Sequence, residues 1–220
     1  MSRTTVWLTH NRARLALHCL RGGEGRPLLL LHGLGEQSPH VVPPWAEPWR
    51  GPVWALDFTG HGESEIPLGG GYSAEILLAD ADHALAHLGT ATVVGRGLGA
   101  YIALMLGGAR AAQVTGTVLL DGPGLFGGAT GPTSNSFVVL PQATSTPDPY
   151  ALHELSKDLR PRDYATLFVR LALEHSGLPT HVSPVTVDAV VRPPWLTAVV
   201  GEVGTIEQSV DEALALYAQF

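Results

Sequence analysis

Short apolar runs, separated by longer stretches with helical periodicity, follow one another along the chain. The runs are almost unbroken in hydrophobicity, which is typical of parallel strands that are covered on both faces. They are Leu28–Leu31, Val53–Leu56, Thr92–Val94, Thr117–Leu120 and Leu196–Val200. Ahead of them, residues 4–9 and 13–20 alternate between apolar and polar positions, which predicts an antiparallel hairpin at a sheet edge.

Helical patterns lie between most of these runs. Residues 73–88 and 98–110 predict two helices, the first with Ser73 as its N-cap and the second apolar on nearly every face. A last helix is predicted to open at Thr205, where Thr205-x-x-Gln208 has the spacing of a capping box. Strands that alternate with helices indicate an α/β fold with a mostly parallel, doubly wound sheet.

One interval, residues 122–193, interrupts this alternation. None of its segments has the character of a central strand, and residues 122–149 are rich in Gly, Thr, Ser and Pro. Helical patterns occur at 150–159 and 161–176. We therefore predict a single domain over residues 1–220, with 122–193 inserted as a cap of loops and short helices above the sheet.

Composition and charge narrow the classes of function. Hydrophobic residues make up 45% and charged residues 15% of the 220 positions, which is typical of a globular domain. A net charge of −7 argues against binding to nucleic acid or to an anionic membrane. The chain has one cysteine, Cys19, and its first residues form no continuous apolar segment, so we predict a cytoplasmic protein.

Three motifs, each at the end of a predicted strand, occur in a characteristic order. They are LLLLHGLGE at 28–36, LDFTGHGES at 56–64 and VVGRGLGAY at 93–101. Together they resemble the α/β-hydrolase fold, whose G-x-S-x-G turn, the nucleophile elbow, presents a catalytic serine. The resemblance implies a sheet of the α/β-hydrolase type over residues 1–121 and 194–219.

The elbow has no nucleophile, because Gly97 stands where the resemblance implies the serine. The family's oxyanion hole would be formed by the backbone amides of Leu34 and Leu98, the second at a helix N-terminus that favours anions. The residues predicted to line this binding site are His32, Gly33, Leu34, Arg96, Gly97 and Leu98.

The other two triad positions are also predicted to be empty. In the family a carboxylate follows the strand that corresponds to 195–200, and there the chain has Gly204, with Glu202 two residues away. The family's histidine follows one further strand, but the last histidine here is His181. We therefore predict that the last strand of the sheet and its histidine loop are missing.

Several side chains keep two interpretations. Asp121 either supplies the acid, as in some relatives, or caps the Gly122-Pro123-Gly124 turn. His61 either transfers a proton near the pocket or stabilises its own loop. Arg96 either binds a carboxylate or phosphate beneath the cap or forms a salt bridge.

The helix predicted at 73–88 carries Asp80, His83 and His87 on one face at metal-ligand spacing, but without a visible fourth ligand we favour a solvated face. We predict neither a metal nor a cofactor. Cys19, far from the elbow on a predicted edge strand, is interpreted as a small apolar residue.

Three hypotheses about function follow. The first is a degenerate α/β hydrolase that binds a small carboxylate or ester-like ligand, or a protein partner. The second is a hydrolase of non-standard mechanism (esterase, thioesterase or lyase-like) that uses Asp121 or His61 with the oxyanion amides. The third is a structural subunit, because an apolar edge strand at 195–200 invites pairing with a second copy or another chain.

Overall fold

An N-terminal pair of strands leads into a sheet whose strands alternate with helices. The computed structural model describes residues 3–68, 71–127, 140, 143–158, 160, 161 and 163–220. In chain order the elements are β1 (Thr4–His10), β2 (Ala13–Arg21), β3 (Leu28–Leu31), β4 (Val53–Leu56), α1 (Ala74–Leu88), β5 (Ala91–Arg96), α2 (Leu98–Ala109), β6 (Val114–Leu120), β7 (Phe126–Gly127), α3 (Pro149–Leu155), β8 (Lys157–Asp158), α4 (Tyr164–His175), β9 (Val185–Asp188), α5 (Pro194–Val200), β10 (Thr205–Glu207) and α6 (Val210–Tyr217), with a 3-10 turn at Pro44–Ala46.

The described residues form an eight-stranded sheet in the order β1-β2-β4-β3-β5-β6-β9-β10. β1 and β2 form an antiparallel hairpin, and β2 is also antiparallel to β4. The hairpin turns at Asn11 and Arg12, whose positive φ angles of 47° and 68° suit the twist of the two strands. From β4 to β10 every pairing is parallel. The predicted α/β-hydrolase sheet with its N-terminal hairpin is confirmed.

Two apolar layers cover the sheet. On one face α1, α2, α4 and α5 bury the larger core, and on the other α6 and the 3-10 turn cover a smaller one. Helix α2 lies close to the strands because Gly99 packs directly on the backbone of Leu31, where a Cβ would collide with the carbonyl oxygen. The predicted helices at 73–88 and 98–110 are confirmed as α1 and α2.

The segment predicted as the strand Leu196–Val200 is wrong, because it belongs to helix α5. Its Val and Thr content favours a strand, but Pro193 and Pro194 stand at the helix start, where a missing amide costs nothing. The strand that follows β6 in the sheet is β9, whose first three residues are buried.

The last strand of the sheet, predicted to be missing, is present as β10, which pairs in parallel with β9. Thr205 therefore begins a strand, and the capping box belongs to Ser209 and Glu212 at the start of α6. β10 is three residues long, and Glu207 at its end pairs with Arg192. The long apolar edge predicted at 195–200 does not exist, because that segment is helical.

Part of the interval predicted as a cap, residues 122–193, belongs to the central sheet. β9 returns to the sheet at Val185, so the boundary at 193 is too late. The predicted helices correspond to α3 and α4, and α4 packs on α2 where Phe168 covers Gly108. α3 lies over the loop after β4, with the Asp148 amide donating to Gly60. Residues 128–139, 141, 142, 159 and 162 of this interval lie outside the described residues.

Candidate functional site

The strand–turn–helix predicted as a nucleophile elbow is formed by β5, Gly97 and α2. Gly97 has φ 53° and ψ −115° and occupies the N-cap of α2. An L-residue adopts this backbone conformation only with strain, and such strain is typical of functional turns. The amide of Gly97 donates to Leu120 O at 3.1 Å, which ties the turn to the end of β6.

Two backbone amides converge beside this turn, as the motifs predict. The amide nitrogens of Leu34 and Leu98 lie 2.8 Å and 2.9 Å from a single acceptor, the carbonyl oxygen of Pro123. These are the distances at which oxyanion-hole amides bind a developing negative charge. Both amides therefore share one acceptor, a backbone carbonyl of the same chain.

The same loop fills the space above Gly97. A Cβ added to Gly97 would overlap the Pro123 carbonyl oxygen and lie 2.6 Å from the Pro123 carbonyl carbon. The cavity that remains beside Gly97 measures about 50 Å³ and is lined by Asp121, Trp195 and Leu196 among others. Small-molecule sites measure about 300 to 1,000 Å³, so this cavity is much smaller than a typical ligand site.

The loop after β4 is organised around a buried carboxylate. Asp57 accepts hydrogen bonds from the amides of Ser38 at 2.6 Å and Glu63 at 2.7 Å, and from His18 Nε2 at 3.0 Å. Burial would raise the pKa of Asp57, but these bonds outweigh it and hold the pKa below its ordinary value. Gly62 packs on the same carboxylate with φ 52°. The Asp and the second Gly of the D-x-x-G-x-G-x-S pattern are therefore explained by the packing and hydrogen bonds of this loop.

Comparison with known proteins agrees with this geometry. Residues 28–219 match the sequence profile described as the Alpha/beta hydrolase family. The chain belongs to the α/β-hydrolase family. No curated protein is a significant match to it.

Solved structures similar to this α/β hydrolase include three enzymes. A membrane phospholipase A, described as a bacterial virulence factor, is 24% identical over 55% of this chain and 40% of its own, with a TM-score of 0.48. A thioesterase domain from the curacin biosynthetic pathway is 25% identical over 54% and 44%, with a TM-score of 0.47. Epoxide hydrolase A from Mycobacterium thermoresistibile is 24% identical over 54% and 39%, with a TM-score of 0.43. The match thus spans less than half of each of these proteins.

The strand used to align Gly204 with the family's acid position is helix α5. Gly204 lies in the turn between α5 and β10, with φ 101°, and packs on Leu173. Glu202 pairs with Arg170 at 2.8 Å, and this pairing lowers the pKa of its carboxyl. The residue at the end of the strand after β6 is Asp188, which sequence reasoning missed because it missed β9. The alternation in Pro-Val-Thr-Val-Asp was the available signal.

Asp121 has a structural role that differs from both interpretations. Its two carboxylate oxygens accept the amides of Val190 at 2.7 Å and Val191 at 2.9 Å. The side chain therefore fixes the loop after β9 and does not cap the Gly122-Pro123-Gly124 turn. Each oxygen thus accepts one backbone amide.

In this member of the α/β-hydrolase family, the connection where a histidine loop would follow the last strand is short. Gln208 and Ser209 are the two residues between β10 and α6, and neither can act as a general base. The last histidine in the sequence, His181, precedes β9. The elbow therefore supplies no serine, and this connection supplies no histidine.

His32 lies in the turn after β3 with both ring nitrogens engaged. Nδ1 donates to Gly33 O at 2.7 Å, and Nε2 accepts the Phe58 amide at 3.1 Å. Burial and then the neighbouring His61 lower the pKa of His32 to about 4, so its ring is neutral at pH 7. His32 therefore joins two loops of the sheet.

His61 is fully buried, with its ring centre 5.1 Å from that of His32. Its Nδ1 lies 3.1 Å from Thr59 O, while Nε2 has no hydrogen-bond partner among the described residues. Burial lowers the pKa of His61. Its contact with Thr59 supports the loop interpretation.

Arg96 points away from Gly97. Its Nη1 lies 2.7 Å from Glu36 Oε1, and its Nε donates to the backbone oxygen of Asp121 at 3.2 Å. Glu36 Oε2 in turn accepts the Gly33 amide at 3.0 Å. The half-exposed guanidinium thus forms the predicted salt bridge and does not enter the site of the missing serine.

The face of α1 considered for a metal is occupied by protein contacts. Asp80 lies 2.6 Å from His10 Nδ1 and accepts the Thr59 amide, and His83 Nδ1 donates to Ala79 O. Among the described residues no trio of ligands is arranged for a metal ion. Cys19 is half-buried on β2, and burial raises the pKa of its thiol.

Proposed function

We propose that the elbow of this protein does not catalyse hydrolysis, and that the protein acts by binding a small ligand or a protein partner. The observation that carries the proposal is the Pro123 carbonyl oxygen, which accepts hydrogen bonds from both oxyanion amides. A substrate carbonyl could use these amides only after this loop had left them.

The oxyanion donors and the nucleophile both act when the nucleophile attacks the substrate carbonyl. One oxyanion donor is worth about 100-fold to 1,000-fold in kcat. At this elbow both donors are engaged, and Gly97 has no side chain that could attack. A carboxylate ligand, as predicted for these amides, would also have to displace Pro123.

The alternative function, a hydrolase that uses Asp121 or His61, finds less support in the contacts of these residues. Asp121 is bonded to two backbone amides, and His61 is buried against Thr59. The hypothesis of a structural subunit required an exposed edge strand at 195–200, and that segment is helical. A cytoplasmic location stays part of this proposal. None of the helices in the described part of the chain is long and apolar enough to cross a bilayer.

The proposal is tested by two measurements on the unmodified protein. The first is turnover of p-nitrophenyl acetate, an acyl thioester and a styrene epoxide, in parallel with Asp121→Asn and His61→Gln. We expect the rate of the buffer blank for all three proteins. Saturable turnover by the unmodified protein that either substitution abolishes would favour the alternative function.

The second measurement is hydrogen exchange at the amides of Leu34 and Leu98. Because both donate to Pro123 O, we expect them to exchange as slowly as amides of the central strands. In an open oxyanion hole these amides would face water. Exchange at the rate of an unstructured peptide would therefore contradict the closed state.

A further inference from the structure

A second cavity opens at the carboxyl ends of β3, β5, β6 and β9. Its volume is about 780 Å³, within the range of small-molecule sites. It shares Leu120 and Asp121 with the small pocket beside Gly97, but Gly97 does not line it. We call it the Arg96 cleft, because Arg96 stands in its wall.

The topology of the sheet favours a ligand at this place. β3 and β5 are neighbours, but the chain continues from β3 to β4 on one side and from β5 to β6 on the other. Open α/β sheets bind ligands outside the carboxyl ends of strands at such a switch point. The cleft and the elbow both lie at this switch point, and Gly97 lines the small pocket but not the cleft.

The cleft has an apolar floor and one aromatic wall. Leu30 and Val94 form the floor and belong to the smaller core on the face of α6. Trp45, from the 3-10 turn, and Val210, from α6, stand in the walls. Trp45 is partly exposed, so its indole can contact the apolar body or the cation of a ligand.

Two carboxylates, Asp121 and Asp188, line the cleft. Asp188 ends β9 and is the register partner of Leu120, and Asp121 follows Leu120 at the end of the adjacent strand β6. Asp121 is bonded to backbone amides, and Asp188 Oδ2 accepts the Val210 amide at 2.8 Å. Among the described residues neither pairs with a basic side chain. The charge of Arg96 is already paired with Glu36 at 2.7 Å.

We propose that the Arg96 cleft binds a small organic cation, a protonated amine joined to an apolar group. The apolar group lies on Leu30 and Val94, and the ammonium group faces Asp188 and Asp121. This inference rests on the proposed function, of which it specifies the ligand. The carboxylate ligand predicted at Arg96 is the competing outcome of the test. Such a ligand would be repelled by Asp121 and Asp188, which have no basic partner among the described residues.

Calorimetric titration with three probes that share a 2-phenylethyl group tests the proposal. 2-Phenylethylamine, 2-phenylethanol and 3-phenylpropionate share an aromatic body and differ in charge. We expect saturable binding of the amine that is about tenfold tighter than binding of the alcohol, and weaker at high salt. None of the probes has a hydrolysable bond, so the result is independent of the activity assay.

Substitutions then locate the site. Asp188→Asn keeps an oxygen that can accept the Val210 amide and removes the charge, so we expect weaker amine binding by several-fold. Arg96→Gln leaves Glu36 uncompensated and should tighten amine binding. Asp82→Asn, which removes the same charge at the Arg110 pair on α1, is the matched control and should change nothing.

Three results would overturn the proposal. One is equal affinity of the unmodified protein for the amine and the alcohol, at both low and high salt. Another is tight binding of 3-phenylpropionate that Arg96→Gln abolishes. The third is absence of saturable binding of the amine while hydrogen exchange still reports a closed oxyanion hole, which would reject the ligand and keep the proposed function.

Discussion

At the scale of single residues, Gly97 and Pro123 decide the state of the elbow. Gly97 permits a backbone conformation with φ 53°, and its missing side chain leaves room for the carbonyl of Pro123. The motif alone predicts the positions of Leu34 and Leu98, because strand ends and glycine turns fix where these amides lie. It does not predict Pro123, because the direction of a loop carbonyl depends on contacts distant in sequence.

Gly97→Ala should destabilise the protein by about 2 kcal/mol or more, because the new Cβ meets both an unfavourable φ and Pro123. Unfolding in urea measures this change. Gly177→Ala is the matched control, since a Cβ there meets nothing within 4 Å, and should change stability little. Equal stability of the two variants would show that the loop moves aside without cost.

At the scale of elements, local sequence predicted the strands that are continuous apolar runs and misjudged the ones near α5. Pro193 and Pro194 signal a helix start, but the following Val and Thr residues signal a strand. Tertiary packing resolves the conflict, because Trp195, Leu196 and Val199 bury one helical face in the core. This error led the sequence analysis to align Gly204 with the family's acid position and to overlook β9, which ends at Asp188.

Helix α6 depends on its capping box, where Ser209 and Glu212 each accept a backbone amide of the other. We expect Ser209→Ala to cost about 1 kcal/mol of stability. Ser209→Asp keeps a side-chain oxygen that can accept the Glu212 amide, so this variant should retain most of the stability. Thermal unfolding followed by circular dichroism compares the three proteins. The prediction fails if alanine and aspartate lower the midpoint alike.

At the scale of the whole molecule, buried histidines couple folding to pH. His32 is neutral in the folded protein because its pKa is lowered from 6.5 to about 4. The unfolded chain therefore binds this proton at a higher pH than the folded one. Stability from His32 is complete above about pH 6.5 and is lost as the pH falls toward 4, and the lowered pKa of His61 acts in the same direction.

The shift at His32 corresponds to about 3 kcal/mol between pH 7 and pH 4. We expect the free energy of unfolding to fall by about this amount, with His61 adding to it. His32→Gln should be less stable at pH 7 but should depend less on pH over the same interval. Parallel pH profiles for the two proteins would show that His32 titrates alike in both states.

The carbonyl of Pro123 also bears on any attempt to install a serine at position 97. The Cβ of that serine would overlap the Pro123 carbonyl oxygen, which already accepts the amides of Leu34 and Leu98. The segment after β6 must first be shortened, lengthened or redirected. A redesign that seeks an active enzyme should therefore begin with the backbone around Gly122–Gly124 and introduce the serine afterwards.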